Sequence, residues 1–488
     1  MPFKSLYKEF QEENPEKFNE DLIYLKKKDT EPENVIKHID NICESLELIN
    51  GIEYLGSTVE TNEYSFMHNR NTQEVNISRL ILITMKFKIS SENKSEIVEV
   101  PLFFPKLVDN YYFILNGSNY FPIFQLVDKD TYVIGSGQKR SLALKTLRMP
   151  VIIFPETFEI KLFNKNNEEI FLRKNIQYLK IFNKKINFLY YYLGKFNLQE
   201  TIKYFELENY ISITKEIKEI PFENYYYFIF EGHTVIALNI DLLNEKMSID
   251  SYKYSWIFDF FVSLYNLFDT EKPRFTSIFS HEYWLKKLGS LFTKNINNQK
   301  EKAESILISF ERILDSNTAN ILEIPKEEKN MYGTIKWMIK DFYNLIEKDN
   351  MNLKNKRIRL TEYILNPLLM KISQVSYRLL NKKGNISFND LKSVINIKIN
   401  TIIKKILVSE LLRYDNAVNG FDLFTSALRI TLKGPQSITS NKSEVPAKYR
   451  NIDLSYIGNI SLVYSSTNDP GMTRTLTPFA QIKNYLFK

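Results

Sequence analysis

Strand-forming and helix-forming stretches follow one another in long blocks along this chain, and that segregation restricts the folds open to it. Gly51 to Val100 has strand texture, densest at Arg79 to Ile89 (RLILITMKFKI), a run with the β-branched and apolar content of a buried strand. Glu96 to Leu102 resembles another, and strand character continues from Asn110 to Phe124 around Asn116-Gly117, a dipeptide that readily adopts positive φ. Ahead of these, Pro2 to Leu48 is helical and strongly charged, with Leu22, Ile23, Leu25, Ile36, Ile39 and Ile42 as its apolar positions and Pro15 and Pro32 as breaks. Alternating strands return between Met149 and Pro221, including Thr157 to Phe163 and Ile176 to Phe182. Helical periodicity then holds from Tyr252 to Asp349, as in Ser305 to Leu314 and Gly333 to Ile346. Such blocks predict an α+β, multidomain chain, with a module starting near 145 and ending near 345.

Beyond that module a basic cluster (Lys354, Lys356, Arg357, Arg359) opens a segment whose helix presents Ile364, Leu368, Ile372 and Val375 on one face. Leu391 to Tyr414, with isoleucine on nearly every turn, predicts a further helix. Leu432 to Ala480 is different. Turn-formers such as Gly434, Pro435, Pro446, Gly458, Pro470 and Gly471 alternate with Lys433, Lys442, Lys448, Arg450 and Arg474, without helical periodicity. A long irregular segment of this kind is either a flexible basic tail or a functional loop region.

Chemistry is hard to find on this chain. Its four histidines (His38, His68, His233, His281) lack metal-ligand spacing, and Cys43 sits among helical apolar residues as a buried structural thiol would. Gly135 to Arg148 (GSGQKRSLALKTLR) lacks the spacing of a phosphate loop and reads as a linker. No nucleophile elbow, zincin motif or aspartate triplet is present. The lone cysteine excludes an internal disulfide and fits a reducing compartment. The most apolar window, Trp256 to Phe268, is too short to span a bilayer and contains Asp259, so a soluble intracellular protein is expected. A net charge of +7 permits polyanion binding without requiring it. Lysine and arginine on loops beside Gly, Pro, Asn and Gln suit phosphate contacts. Two readings stay open: a nucleic-acid-handling subunit with its chemistry on other chains, or a structural protein with incidental charge.

Three separated stretches, in order, resemble the N-terminal half of the β subunit of multisubunit DNA-directed RNA polymerases. Glu99-Val100-Pro101-Leu102 and Phe113-Ile114-Leu115-Asn116-Gly117 are similar to that family's DIPL and FIINGxERVIVxQ elements, with Gln125 on the final glutamine. Asn355 to Leu360 followed by Tyr363 to Asn366 resembles NRRxRxxGELxxN. Gly434 to Thr439 resembles LGPGGLT, Tyr456-Ile457-Gly458 resembles HYGR, and Pro470 to Leu476 resembles IGLINSL. Departures accompany the match. Four extra residues separate Pro101 from Asn116, Tyr120 replaces an arginine, and ETPEGPN is reduced to Tyr464-Ser465-Ser466-Thr467-Asn468-Asp469.

The resemblance implies a fold of protrusion (1–144 and 346–410), lobe (145–345) and fork (411–488). It implies a β N-terminal fragment forming one jaw of the DNA cleft and part of the RNA–DNA hybrid channel. Because the β pattern continues beyond what Lys488 reaches, a divided β subunit is expected, as in the non-virion RNA polymerases of jumbo bacteriophages. The virion-packaged sister enzyme is the alternative. Implied partners are a β C-terminal fragment, β′ N- and C-terminal fragments, a promoter-specificity subunit, DNA template and nascent RNA, with no membrane. No catalytic residue, metal ligand or cofactor is expected on this chain, the Mg2+ being held by β′. The expected location is the cytoplasm of the infected bacterium, or the virion for the packaged form. Nucleic-acid contacts are implied for Gln125, Lys356, Arg357, Arg359, Arg413, Arg429, Lys433, Arg450, Asn468, Asp469 and Arg474, the alternative for Arg357 and Arg359 being an ion pair with Glu362.

Overall fold

The computed structural model describes residues 22–44, 46, 51–65, 78–91, 94–108, 112–135, 140–146, 149–182, 184–230, 234–349, 351–372, 387–395, 412–414, 425–426, 428–434, 450–462, 471–477, 479–483 and 485–487. Two compact units emerge, one built from 1–129 with 349–488 and the other from 130–348.

In the first unit the run read as a buried strand is Arg79–Ser91, the centre of an antiparallel sheet between Ile52–Ser65 and Lys94–Pro105. Strand alternation sends Ile81, Ile83, Met85, Phe87 and Ile89 inward, all buried. The outward face carries the cross-strand pairs Lys86–Glu99 and Lys88–Glu53, which keep it wet. Helix Pro32–Cys43 packs on this sheet through Val35, Ile39, Ile42 and Cys43, its proline sitting in the first turn where no backbone donor is lost. Helix Phe388–Ile395 packs on the same sheet.

Asn116 and Gly117, at φ 51° and 75°, join Tyr112–Leu115 to Ser118–Pro122 in a hairpin whose turn needs positive φ at both positions. Leu412–Tyr414 adds to the other edge of Ser118–Pro122, with Tyr414 packed edge-on against Tyr120. The helix expected over Leu391 to Tyr414 therefore ends as a strand, because pairing with an earlier segment overrides local periodicity. The intervening 396–411 lies outside the described residues.

A six-stranded sheet completes this unit, in the order Thr473–Thr475, Arg429–Thr431, Phe124–Asp128, Lys356–Arg359, Leu486–Phe487, Ile482–Lys483. Arg429–Thr431 runs parallel to Phe124–Asp128, and the remaining pairs are antiparallel. The basic cluster is thus largely strand, and the helical residues that follow bury Ile364, Leu368 and Ile372 as expected, Val375 lying outside the described residues.

The second unit sets a twisted sheet, built on the long hairpin of Val151–Asn164 and Glu169–Ile181, against a helical layer centred on Ser251–Glu271. Sequence texture changes near 145, yet the unit begins at 130. Thr131–Ile134 and Ser141–Leu144 pair with each other, and the latter pairs with Val151–Asn164. Aromatic rings of this unit pack against one another, as in Tyr191 stacked on Phe310 with centroids 4.6 Å apart. Among the described residues no helix is long and apolar enough to cross a membrane.

Candidate nucleic-acid interface

Phe124–Asp128 is the strand around which the first unit's polar residues assemble. On one side Gln125 is in register with Arg359, and on the other with Thr431. The Gln125 side chain is fully buried and bonded at both ends. Arg359 Nε donates to its Oε1 at 2.7 Å, and its Nε2 donates to the Lys433 carbonyl at 3.0 Å. These partners lie 234 and 308 residues away in the chain. Leu432 N–H donates to Met472 O, while Lys433 N–H donates to Thr431 Oγ1. Gly434 follows at φ +116°, and a Cβ built there would lie 2.4 Å from Cε2 of the buried Tyr363. Only glycine fits both the dihedral and the space.

The basic residues of Lys356–Arg359 are used inside the protein. Lys356 is 1% exposed, with Nζ 2.7 Å from Asp128 Oδ1. Arg357 donates Nη1 and Nη2 to the two oxygens of Glu362 at 3.1 and 2.9 Å, the ion pair that the sequence left as the alternative. Burial would raise the Glu362 carboxyl, but the charge and hydrogen bonds of Arg357 hold it down at about 2. Burial conversely pushes the Arg359 guanidinium down to about 10. The first turn of helix Thr361–Ile364 has no capping side chain of its own, since Leu360 precedes it. Asp29 supplies the cap from the N-terminal segment, accepting from Thr361 N at 2.6 Å and from Tyr485 OH at 3.0 Å. His38 Nε2 lies 3.5 Å from the same carboxylate.

Arg474, opposite Ile430, is also buried. Its guanidinium lies over the Tyr456 ring at 4.5 Å, and Nη2 donates to Asn451 O at 3.0 Å. Four of the expected contact residues are at least partly exposed. Arg429, Arg413 and Lys433 are half-buried and Arg450 is exposed. Arg429 Nε is itself buried and has no hydrogen-bond partner among the described residues. Arg429 and Lys433 belong to the six-stranded sheet or its continuation, Arg413 to the strand Leu412–Tyr414 beside Ser118–Pro122, and Arg450 packs its backbone on the Gly471 turn. Asn468 and Asp469 lie outside the described residues. Asp128, Asp29 and Tyr485 escaped sequence reasoning because their partners are remote in the chain, and nothing local marks them. Among the described residues there is no group of His, Cys, Asp and Glu able to hold a metal ion.

The sequence matches the family model described as non-virion RNA polymerase subunit over residues 3–485. The chain belongs to that family. No curated protein matches it. The subunit therefore functions as part of a phage transcription enzyme together with other polymerase polypeptides.

Proposed function

We propose that this chain is the N-terminal half of a divided β subunit, forming one jaw of the DNA cleft and part of the RNA–DNA hybrid channel. In this reading 1–144 and 346–410 make the protrusion, 145–345 the lobe and 411–488 the fork. The observation that supports it is the convergence on Gln125. Gln125, the last matched residue of the first stretch, lies on a strand between Lys356–Arg359 of the second stretch and Arg429–Thr431, which leads into the third at Gly434, and its buried amide is bonded to Arg359 and to the Lys433 carbonyl. Membership in a non-virion polymerase family supports work in the infected cell rather than in the particle. The phosphates of the hybrid would be met by Arg429, Lys433, Arg413 and Arg450, those of the expected contact residues that are at least partly exposed. Lys356, Arg357, Arg359 and Arg474 would hold the scaffold that aims them. Nucleotidyl transfer would need a magnesium ion on aspartates of a β′ fragment, outside this chain.

Affinity purification of the assembled enzyme through a tag on this chain, with companions identified by mass, tests the assignment. The expected companions are one β C-terminal polypeptide, two β′ polypeptides and a specificity subunit. Co-purification with an undivided β, or RNA synthesis by this chain alone with Mg2+, would overturn it.

A further inference from the structure

We infer that Gln125 is a positioning residue: its amide, oriented by Arg359, fixes the backbone at Lys433 and so sets where the Lys433 side chain is presented. The inference rests on the proposal that Lys433 faces nucleic acid. Four observations converge. The Gln125 side chain is fully buried, so its geometry is not shared with solvent. Arg359 offers it only a donor, which assigns Oε1 to the guanidinium and leaves Nε2 for the Lys433 carbonyl. Lys433 is held at its other end by Thr431 Oγ1, so both peptide groups flanking its Cα are fixed. Tyr363 stands against Gly434 and blocks any path that needs a side chain there. Tyr363 in turn is carried by the short helix that Asp29 caps.

Glutamine is the side chain that meets these demands together. It accepts from a guanidinium and donates to a carbonyl across one extended reach. Glutamate keeps the first bond but sets an oxygen against the Lys433 carbonyl, methionine makes neither bond, and asparagine is a methylene short. Sequence alone shows Gln125 as one matched letter of a motif. The structure gives it a mechanical task between two segments distant in the chain.

The test uses the assembled polymerase on a fixed DNA–RNA scaffold, with a photo-reactive phenylalanine in place of Lys433. In the otherwise native subunit, crosslinks are expected to concentrate on one or two adjacent nucleotides. Gln125→Glu, which keeps the Arg359 bond, is expected to spread them. The preference for the principal nucleotide should fall about fivefold, the size of one lost hydrogen bond. Yield of the complex should stay near wild type, with thermal stability lowered by no more than the cost of that one bond. Gln125→Met should spread the crosslinks as far and lower stability further, because Arg359 Nε then loses the Gln125 acceptor too. A sharp, unshifted pattern in Gln125→Glu would overturn the inference while leaving the nucleic-acid assignment standing. Absence of any nucleic-acid crosslink in the native background would instead remove the assignment on which it rests.

Discussion

Asp259 shows how a single residue can oppose the element that carries it. It lies on the most apolar window of the chain, buried within helix Ser251–Glu271, where Tyr343 OH donates to Oδ2 at 2.6 Å and Gln177 Nε2 at 3.3 Å. Burial pushes its carboxyl up from 3.8 to about 6, against the pull of those two hydrogen bonds. An acid whose folded pKa exceeds its unfolded one binds its proton more tightly when folded. Its contribution to stability is therefore largest below pH 3.8 and is lost as pH rises through about 6. The loss amounts to about 3 kcal/mol across that window. Asp259→Asn should remove this dependence and raise the thermal midpoint at neutral pH relative to wild type. Thermal scans of both proteins from pH 4 to 8 check it, and parallel curves for the two would show that the carboxylate is accommodated without cost. The sequence already displayed the anomaly, a lone Asp in the run Trp256 to Phe268. It could not display Tyr343 or Gln177, which arrive from other elements.

Elements were legible where their partners were nearby. Arg79–Ser91 read as a strand because its own alternation and its hairpin neighbours agree, and Asn116-Gly117 read as a turn because two residues suffice to make one. Leu412–Tyr414 was misread as helix because the evidence for a strand lies in Ser118–Pro122. The same holds for the loop after Arg429–Thr431. Its glycine and lysine were visible in the sequence, but not the Tyr363 ring or the Gln125 amide that fix its exit. Gly434→Ala tests that exit. The positive φ strains any side chain by roughly 1–3 kcal/mol, and the added methyl must also displace the buried Tyr363. Tyr363→Ala in the same chain should relieve the second effect only, leaving the double variant more stable than the two single losses predict. Urea unfolding of the four proteins measures the coupling. Additive losses would mean that the Tyr363 ring does not shape the exit.

At the scale of the whole molecule, the basic residues that the sequence offered as one class divide into two with different physical consequences. The net charge of +7 is a property of the surface field and does not say which cations meet phosphate. Lys356, Arg357 and Arg359 sit beside Asp128, Glu362 and Gln125 inside the first unit, and Arg474 lies under Tyr456, whereas Arg413, Arg429, Lys433 and Arg450 reach solvent. Counterion release distinguishes the groups. Replacing an accessible cation that touches a phosphate should flatten the logarithmic salt dependence of scaffold binding by about 0.7–0.9 per contact. Lys356→Met should leave that slope unchanged. It strands the buried Asp128 carboxylate, however, and should lower folding stability by about 3–5 kcal/mol. Equilibrium binding of the assembled enzyme to a DNA–RNA scaffold over a range of KCl, set beside urea unfolding of the same variants, reads both quantities. The expected outcome is a crossed pattern, in which Arg429→Ala moves the slope and spares the fold while Lys356→Met does the reverse. Should Lys356→Met flatten the slope as much as Arg429→Ala does, the buried pair must open in the working enzyme. The division drawn from this structure would then not describe the transcribing state.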